Sequence, residues 1–543
     1  MNWFLKPVSF ELPIAMTDLY SFLARGYFPP KLPAPFSTQR LAQVLSAQSV
    51  DLPSSFTNGR TKAKLAHHSV ARTGIRRRRI SFPNPVTQYR LFKVIAENWL
   101  ELSSFAMRGN VSLSKPKGGQ STSRAIVMEY GFDDLPRRRM RLRATSRYIL
   151  KADIARCYPS IYSHCLPWAL HGKNFAKSNR GNEHLGNLLD KCVRQGQDDE
   201  TVGLPIGPDS SYLLAEVILN TIDEQLLRAL GNINGIRYSD DYEFGFRTEA
   251  EAQSGLSTLE SLLGDYHLHI NQQKTKITPL PMPADSIWVP KLRNFGFRTS
   301  RRGQATDLAT YFDLAFQLYR EYPEDHVLNY AVARLSPRTD PSEAIHKDNW
   351  ALLQDFLFQC LMVETGTFLK VIELLIQYHK LGSDIDVASI DDMLNALVPE
   401  QCALDRGSEL AWSVWSMIFF GIKIRPAAAK ALSSVRDNIV ALLALDANAR
   451  HLIPSGLDTS AWEKVVSEDG LYTENWLLAY EANVKGWLPQ SGKKDLVTQD
   501  PCFGYLKNQG VQFYEATKLP LAVPAGATFD DELIAPLFED YFY

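Results

Sequence analysis

The chain has 543 residues, of which 45% are hydrophobic and 22% are charged, and its formal net charge is −1. This composition is typical of globular proteins, and the length predicts two to four domains. The six cysteines are scattered without a CxxC pair, which argues against a disulfide framework or a zinc site. The N-terminus has no secretion signal, and the longest apolar run, residues 410–420, is too short to span a bilayer. We therefore expect a soluble, cytoplasmic protein with no membrane partner.

Charge is distributed unevenly along the chain. Residues 60–147 contain 20 Lys and Arg against 5 Asp and Glu, whereas residues 301–543 contain 20 against 34. The basic part includes the runs at 76–79 and 137–143, with Lys115 and Lys117 between them. A single basic run is as often a solvated charged surface as a binding site. Two such runs in one region predict that this part binds the phosphates of a polyanion.

Strands and helices alternate through the first 300 residues. The Pro-rich segment 25–38 predicts an extended connector, and a helical spacing follows at 85–105. The strand-like YILKADI ends at Asp153, and a helical run covers 212–230. The stretch IRYSDDYEFGF, residues 236–246, predicts a β-hairpin.

The predicted hairpin has an unusual turn. Its second arm places Tyr242, Phe244 and Phe246 on one face, and we expect Asp240 and Asp241 at its tip. Tight hairpin turns favour Asn-Gly or Asp-Gly, so two like charges are poor turn residues. A turn that departs from the local rule is where a functional site is expected.

Beyond residue 305 the pattern is helical. The run at 367–382 places Phe368, Ile372, Leu375 and Ile376 on one stripe and ends at Gly382, a frequent helix stop. Trp412, Trp415 and Phe419 form a similar stripe, and we interpret both stripes as core. Successive helices without strand signals predict a HEAT-like or irregular all-α domain. We expect an N-terminal extension at 1–75, a mixed α+β domain at 76–300 and the helical domain at 301–543.

The acids at 240–241 point to phosphoryl transfer. Adjacent Asp pairs occur at 133–134, 198–199, 240–241, 391–392 and 530–531, so the dipeptide alone carries little information. The pair at 240–241 differs because Asp153 ends another strand, and crowded carboxylates need a compensating cation. Two divalent metals about 4 Å apart activate an attacking oxygen and stabilise a leaving one. Mg²⁺, or Mn²⁺, suits carboxylate and phosphate oxygens. The alternative reading is a solvated turn.

Several motifs resemble those of reverse transcriptases, and they occur in the family's order. YSDD at 238–241 is similar to the YxDD hairpin of the palm, and KADIARCYPSIY resembles the first palm motif. GLPIGPDSSYLLAE is similar to the LPQG…SPLLAN motif, HINQQKTKI to the motif after it, and LRNFGF to the primer-grip hairpin. RRRRISFPNPVTQYRLFKVIAENW resembles the fingers of bacterial members. This resemblance, over roughly residues 75–300, implies right-hand polymerase fingers and palm followed by an all-α C-terminal domain.

The resemblance implies roles for individual residues. Asp153, Asp240 and Asp241 would be catalytic metal ligands, joined by the backbone carbonyl of Ile154. The aromatic gate that favours dNTPs would be Tyr158, and Lys274 would assist the departure of pyrophosphate. The residues expected at the nucleotide are Tyr158, Gly207, Ser211, Lys274, Arg79 and Arg90, the two arginines being chosen only from the basic region. Ile206 stands where the family has Gln, which places templated pairing in doubt.

The acidic, helical continuation resembles the defence-associated bacterial reverse transcriptases of the abortive-infection (AbiK-like) group. This likeness implies antiphage defence, a homo-oligomer and, in some members, untemplated DNA synthesis primed by a protein tyrosine. Candidate priming residues, chosen because they are near the ends of the chain, are Tyr20, Tyr27, Tyr541 and Tyr543. The expected partners are dNTPs and nucleic acid, as DNA product or RNA. Two alternatives stay open: RNA-templated cDNA synthesis on a partner non-coding RNA, and a non-catalytic binding protein with this fold.

Overall fold

A computed structural model gives the fold of the chain. It describes residues 18–47, 51–72, 74, 76–119, 124–131, 134–231, 233–283, 285–336, 345–466, 469–489 and 495–518. The strands are β1 (Ala66–Ala71), β2 (Arg77–Phe82), β3 (Pro116–Gly118), β4 (Ile126–Met128), β5 (Tyr148–Asp153), β6 (Asn234–Tyr238), β7 (Asp241–Phe246) and β8 (Lys276–Pro279).

Helices make up most of the remaining structure. The α-helices up to residue 300 are α1 (Leu19–Arg25), α2 (Gln39–Leu45), α3 (Ser54–Thr57), α4 (Pro85–Glu97), α5 (Trp99–Ala106), α6 (Asp134–Arg143), α7 (Cys157–Ser160), α8 (Cys165–His171), α9 (Lys173–Ser178), α10 (Leu185–Gln195), α11 (Asp209–Leu230), α12 (Glu249–Asp265) and α13 (Trp288–Arg293). Those that follow are α14 (Arg301–Glu321), α15 (Val327–Ala333), α16 (Trp350–Val363), α17 (Phe368–Lys380), α18 (Val387–Ala403), α19 (Gly407–Phe420), α20 (Pro426–Leu432), α21 (Asn438–Ala449), α22 (Ser460–Glu463), α23 (Trp476–Lys485), α24 (Leu496–Gln499) and α25 (Pro501–Asn508). Short 3₁₀ helices cover Lys347–Asn349, Thr365–Thr367 and Asp469–Tyr472.

A four-stranded antiparallel sheet, the central sheet, has the strand order β6-β7-β5-β8. Directly opposed residues of an antiparallel pair share a face. Leu150 and Ala152 of β5 therefore lie on the same face as their partners Phe244 and Tyr242 of β7, and all four are buried. The opposite face carries Lys151 and Asp153 with their partners Glu243 and Asp241. One face thus forms core, and the other carries the charged residues.

The β1–β2 hairpin joins the two halves of the molecule. Its strands pair from Ala66↔Phe82 to Ala71↔Arg77, so the domain boundary expected at residue 76 falls inside a hairpin. The free edge of β2 reaches the loop before α11, where Ser81 N donates to Ile206 O at 2.8 Å. The edge of β1 faces α19, where Ser408 Oγ accepts from Ala71 N at 3.1 Å.

The second half is helical, as the sequence pattern predicts, and it packs directly on the first. The predicted stripe at 367–382 is buried core; of the second stripe, Trp412 and Trp415 are buried and Phe419 is half-buried. Trp476 Nε1 donates to Phe82 O at 3.0 Å, and Asn84 Nδ2 donates to Leu471 O at 2.8 Å. A single apolar cluster extends from Phe22 to Tyr514, so the halves share one core.

The prediction of a hairpin at LRNFGF is wrong. Helix α13 ends at Arg293, and residues 294–298 form no strand. Phe295 and Phe297 instead each lie 5.1 Å from the ring of Tyr311 in α14. Aromatic packing onto the helical half therefore replaces strand pairing at this point. Within the ranges that the structure covers, no helix is long and apolar enough to cross a membrane.

Candidate active site

The three predicted acids lie together at one end of the central sheet. Asp153 is the last residue of β5 and Asp241 is the first of β7, and the two are directly opposed in the register. Asp240 comes just before β7, and its carbonyl accepts from Ile154 N at 3.1 Å. Asp153 is buried, whereas Asp240 and Asp241 are partly exposed. Strand order and register therefore bring together acids that are almost ninety positions apart in the chain.

The turn itself differs from the expected one by one residue. Because Tyr238 pairs with Asp241, the two-residue loop is Ser239–Asp240, and Asp241 already belongs to the strand. Ser239 is buried and has a φ of 55°, in the left-handed region that usually favours glycine. The expectation that both aspartates form the tip is thus corrected, because the pairing of β6 with β7 extends one residue further.

A buried ion network supports this turn, and sequence reasoning missed it. Arg237 is fully buried; its Nε donates to Asp223 Oδ2 at 2.8 Å, and its Nη atoms donate to the Glu216 carboxylate at 2.7 and 3.1 Å. Burial lowers the pKa of Arg237, but Asp223 and Glu216 more than offset this and raise it well above its ordinary value. The sequence held two signals of this network. They are the charged Arg237 inside the apolar stretch of β6, and the acids Glu216 and Asp223 within the helical run 212–230.

Crowding perturbs the acids. Burial, and then the charge of Asp153, raises the pKa of Asp240 above the ordinary aspartate range. Burial, and then the charges of Asp240 and Asp153, does the same to the pKa of Asp241. Like charges in a partly desolvated site favour the protonated form, so this site is short of positive charge.

Lys274 supplies part of that charge. Its Nζ lies 2.8 Å from Asp153 Oδ2. Asn271 N donates to Asp153 O at 2.7 Å, and Lys274 N donates to Asn271 O at 3.1 Å, so a short turn anchored on β5 presents the lysine. Burial lowers the pKa of Lys274, but the hydrogen bond to Asp153 and the nearby acids raise it overall.

The donor set fits a divalent cation in its chemistry. Among the described residues, no three His, Cys, Asp or Glu side chains are grouped closely enough to hold a metal ion as they stand. Carboxylate oxygens are nonetheless the ligands that Mg²⁺ and Mn²⁺ prefer, and a cation would relieve the repulsion that raises the pKa of Asp240 and Asp241.

Three of the residues expected at the nucleotide, Tyr158, Gly207 and Ser211, lie in or beside the loop 204–208. Tyr158 is half-buried in α7, and its carbonyl accepts from Leu204 N at 2.8 Å. Gly207 has a φ of 135°, and a Cβ there would lie 3.1 Å from Ser81 O, so only glycine suits this contact. Ser211 is 2% exposed in the first turn of α11. Gly207 and Ser211 thus shape the loop from inside.

Arg90 belongs to the packing of the molecule, which corrects its expected place at the nucleotide. It is 7% exposed, and its guanidinium donates to Phe56 O, Thr61 O, Ser55 O and Gln195 Oε1 at 2.8 to 3.3 Å. Arg79 is exposed on β2. The strand period puts its neighbour Arg78 on the opposite face. Burial is the main cause that raises the pKa of Asp240, and the positive charge of Arg78 opposes that rise. Arg78, rather than Arg79, is therefore the arginine of β2 whose charge acts on the acids.

Several other arginines of the basic region are buried or half-buried in internal ion pairs. Arg124 Nε donates to the buried Asp209 at 2.9 Å. Arg139 and Arg143 donate to Glu243 at 2.8 to 3.2 Å. The surplus of basic residues in the sequence therefore overstates the positive surface. The arginines exposed on and just after α6 are Arg137, Arg141 and Arg147.

The candidate priming tyrosines differ in accessibility. Tyr27 is fully buried and its hydroxyl donates to Pro83 O, which removes it from the candidates. Tyr20 is 39% exposed, and its hydroxyl lies 3.3 Å from Gln39 Oε1. Tyr541 and Tyr543 lie outside the described residues.

Comparison with known proteins finds a family model that matches part of the chain. Residues 76–298 match the family model described as reverse transcriptase (RNA-dependent DNA polymerase). A search of curated proteins found no match. Among solved structures, the chain is similar to apo telomerase from Candida tropicalis, with 12% identity over 73% of this chain and 69% of that chain and a TM-score of 0.31. It is also similar to telomerase from Candida albicans in complex with a fragment of telomeric RNA, with 11% identity over 73% and 66% and a TM-score of 0.28.

The class to which the fold and the site point is the reverse transcriptase family, which the chain resembles over a span of less than half of its length. The matched span, 76–298, contains the three acids and Lys274. It also agrees with the extent of roughly 75–300 expected from the motifs.

Proposed function

We propose that this chain is a DNA polymerase that adds dNTPs by two-metal nucleotidyl transfer at Asp153, Asp240 and Asp241. The observation that carries the proposal is the pairing of Asp153 with Asp241, beside Asp240, inside the domain that matches the reverse transcriptase model. When bound, divalent cations lower the pKa of the attacking hydroxyl and neutralise the leaving pyrophosphate.

The chain's own residues have distinct tasks in this reaction. Asp153, Asp240 and Asp241 would hold the cations, and the Ile154 carbonyl would be a further ligand. Lys274, kept protonated by its acidic surroundings, donates a proton or a charged hydrogen bond to the departing pyrophosphate. Tyr158 crowds the sugar and favours dNTPs, and Arg78 replaces Arg90 as the proposed contact of the triphosphate.

The path of the nucleic acid follows the charged face of the central sheet. Leu142 of α6 shares an apolar cluster with Ile149 of β5, so α6 covers this face at the end away from Asp153 and Asp241. The exposed Arg137 and Arg141 on this helix are placed to contact the product backbone. Such contacts are electrostatic, so we expect binding to weaken steeply with added salt.

The test is dNTP incorporation by the full chain after Asp240→Asn and Asp241→Asn. We expect incorporation to be lost while the melting temperature is preserved, because the changes remove ligand charge and keep side-chain volume. The matched control is Asp391→Asn with Asp392→Asn, an adjacent pair in the helical half that binds Arg425 at 3.1 and 2.5 Å. A double variant at 240–241 that still polymerises would overturn the proposal.

We further propose that the enzyme acts in antiphage defence in the cytoplasm, as a homo-oligomer, and extends a protein tyrosine without a template. Ile206 in place of the family's Gln, and the long helical half, support this.

The test uses labelled dNTPs and denaturing electrophoresis with and without nuclease. Label that migrates with the protein and is trimmed by nuclease supports priming, and Tyr20→Phe examines the described candidate. Label that never migrates with the protein contradicts it.

RNA-templated cDNA synthesis is the second candidate, favoured by the description of the matching family as RNA-dependent. Sequencing the nucleic acid that co-purifies with the chain distinguishes the two. DNA complementary to a co-purified RNA supports templated synthesis, and DNA with no complement supports untemplated addition.

A further inference from the structure

Both polar backbone groups of Ser239 are held by side chains. Ser239 N donates to Ser114 Oγ at 2.8 Å, and Ser239 O accepts from Arg237 Nη1 at 2.8 Å. Ser239 is the turn residue with a left-handed φ, a conformation that residues other than glycine rarely adopt. The peptide that follows it carries Asp240. The two hydrogen bonds therefore fix the conformation that aims the catalytic acids.

Segment 111–114 places Ser114 beside the turn. Arg237 N donates to Val111 O at 2.8 Å, and Leu113 N donates to Arg237 O at 2.8 Å. These bonds make the segment a short parallel partner of β6, with Ser112 opposite Arg237. Ser114 is fully buried two residues further on, level with Ser239.

Glu216 binds both residues that contact the backbone of Ser239, namely Ser114 and Arg237. Ser114 Oγ donates to Glu216 Oε1 at 3.1 Å, and Arg237 Nη1 donates to the same oxygen at 2.7 Å. A hydroxyl can donate one hydrogen bond and accept another, so Ser114 meets Glu216 and Ser239 N at once. Ser114, Glu216 and Arg237 thus form a closed, buried support under the turn.

We propose that Ser114 is a positioning residue for nucleotidyl transfer. By accepting the Ser239 N–H, it keeps the turn in the strained conformation that presents Asp240 and Asp241 to Asp153. Without this acceptor, a serine at 239 relaxes toward a negative φ and carries Asp240 away from Asp153. The inference rests on the polymerase function proposed above, and it concerns a residue outside the sequence motifs.

Ser112 offers a matched control. It is buried like Ser114, and its hydroxyl donates to the other oxygen of the same carboxylate, Glu216 Oε2, at 2.9 Å. It lies 3.4 Å from Ser114 Oγ, whereas the hydrogen bond to the turn comes to Ser114. Replacing either serine removes one bond to Glu216, but only the loss of Ser114 releases Ser239.

The experiment compares Ser114→Ala, Ser112→Ala and the double variant Ser114→Ala/Ser239→Gly in the full chain. We expect Ser114→Ala to lower kcat for dNTP incorporation about tenfold, with KM for dNTP changed by less than about twofold, as loss of one buried hydrogen bond implies. Ser112→Ala keeps the wild-type kcat. Because glycine adopts a left-handed φ without penalty, the double variant returns kcat to within about threefold of wild type.

Amide hydrogen exchange at residue 239 gives a readout independent of activity. We expect faster exchange of the Ser239 N–H in Ser114→Ala than in Ser112→Ala. Equal kcat losses in the two serine variants, or no recovery with Ser239→Gly, would overturn the inference. If the alanine variant does not fold, Ser114→Cys preserves the volume with a weaker acceptor and takes its place. A wild-type chain that incorporates no dNTP counts against the polymerase function, whereas the exchange contrast still tests the turn contact.

Discussion

At the scale of single residues, Lys274 is the ion-pair partner of Asp153, and its proposed role in the reaction can be tested directly. Its ammonium lies 2.8 Å from Asp153, and the surrounding acids raise its pKa above its ordinary value despite burial. The group therefore stays protonated throughout the neutral range. We predict that Lys274→Gln lowers kcat about a hundredfold, the usual contribution of a positioned general acid, with little change in melting temperature. The pH–rate profile should also lose its decline at alkaline pH.

Lys291→Gln is the control for this lysine. Lys291 is exposed on α13, outside the site, so its replacement should leave the pH–rate profile unchanged. An unaltered kcat in Lys274→Gln would remove the lysine from the reaction and leave it as a counter-ion of Asp153.

At the scale of elements, the β1–β2 hairpin is held by the helical half through two neighbouring arginines in contrasting settings. Arg77 Nη2 lies 2.8 Å from Glu409, whose side chain is 0% exposed, whereas Arg76 meets Glu324 at 2.6 Å with both side chains mostly exposed. We predict that Glu409→Ala lowers the free energy of unfolding by about 3 kcal/mol, because it removes the carboxylate partner of a partly buried guanidinium and leaves only the hydrogen bonds to Ser69. Glu324→Ala should change it by less than about 0.5 kcal/mol. Urea denaturation measures both, and equal effects would contradict a clamping role for Glu409.

At the scale of the whole molecule, the end of the described chain closes the structure against its beginning. Ser37 N donates to Phe513 O at 3.0 Å, and Phe513 N donates to the fully buried Glu481 of α23. Burial raises the pKa of Glu481 from an ordinary 4.5 to about 7. Between these values the folded state binds a proton that the unfolded state releases, so this group's contribution to stability falls as pH rises from about 4.5 to 7. The contribution is at most about 3 kcal/mol.

Thermal melting across this pH range measures the contribution. We predict that Glu481→Gln flattens the pH dependence of the melting temperature, because a neutral amide stands in for the protonated acid at every pH. Glu474→Gln, an exposed change nearby, should leave the wild-type slope. An identical slope in wild type and Glu481→Gln would show that Glu481 does not titrate with folding.

The comparison of sequence with structure is sharpest at the arginines and tyrosines. Period-two and helical patterns are local, so they located β5, the β6–β7 hairpin and the helical half, and the motif spacing brought Asp153 together with Asp240 and Asp241. Burial depends on which distant segments meet. For this reason Arg90 and Tyr27, chosen from composition and position, are packed inside.

The amino-acid sequence by itself indicated the class of domain and its acidic centre, because each of the motifs that resemble reverse transcriptases is a short, contiguous stretch of residues. Only the tertiary structure decided that Ser239 and Asp240 form the tip, that Ser114 and Arg237 hold it, and that Glu409 receives Arg77. Ser114 lies 125 positions before Ser239, and Arg77 lies 332 before Glu409. Contacts over such separations follow from how elements pack, which a local pattern does not encode.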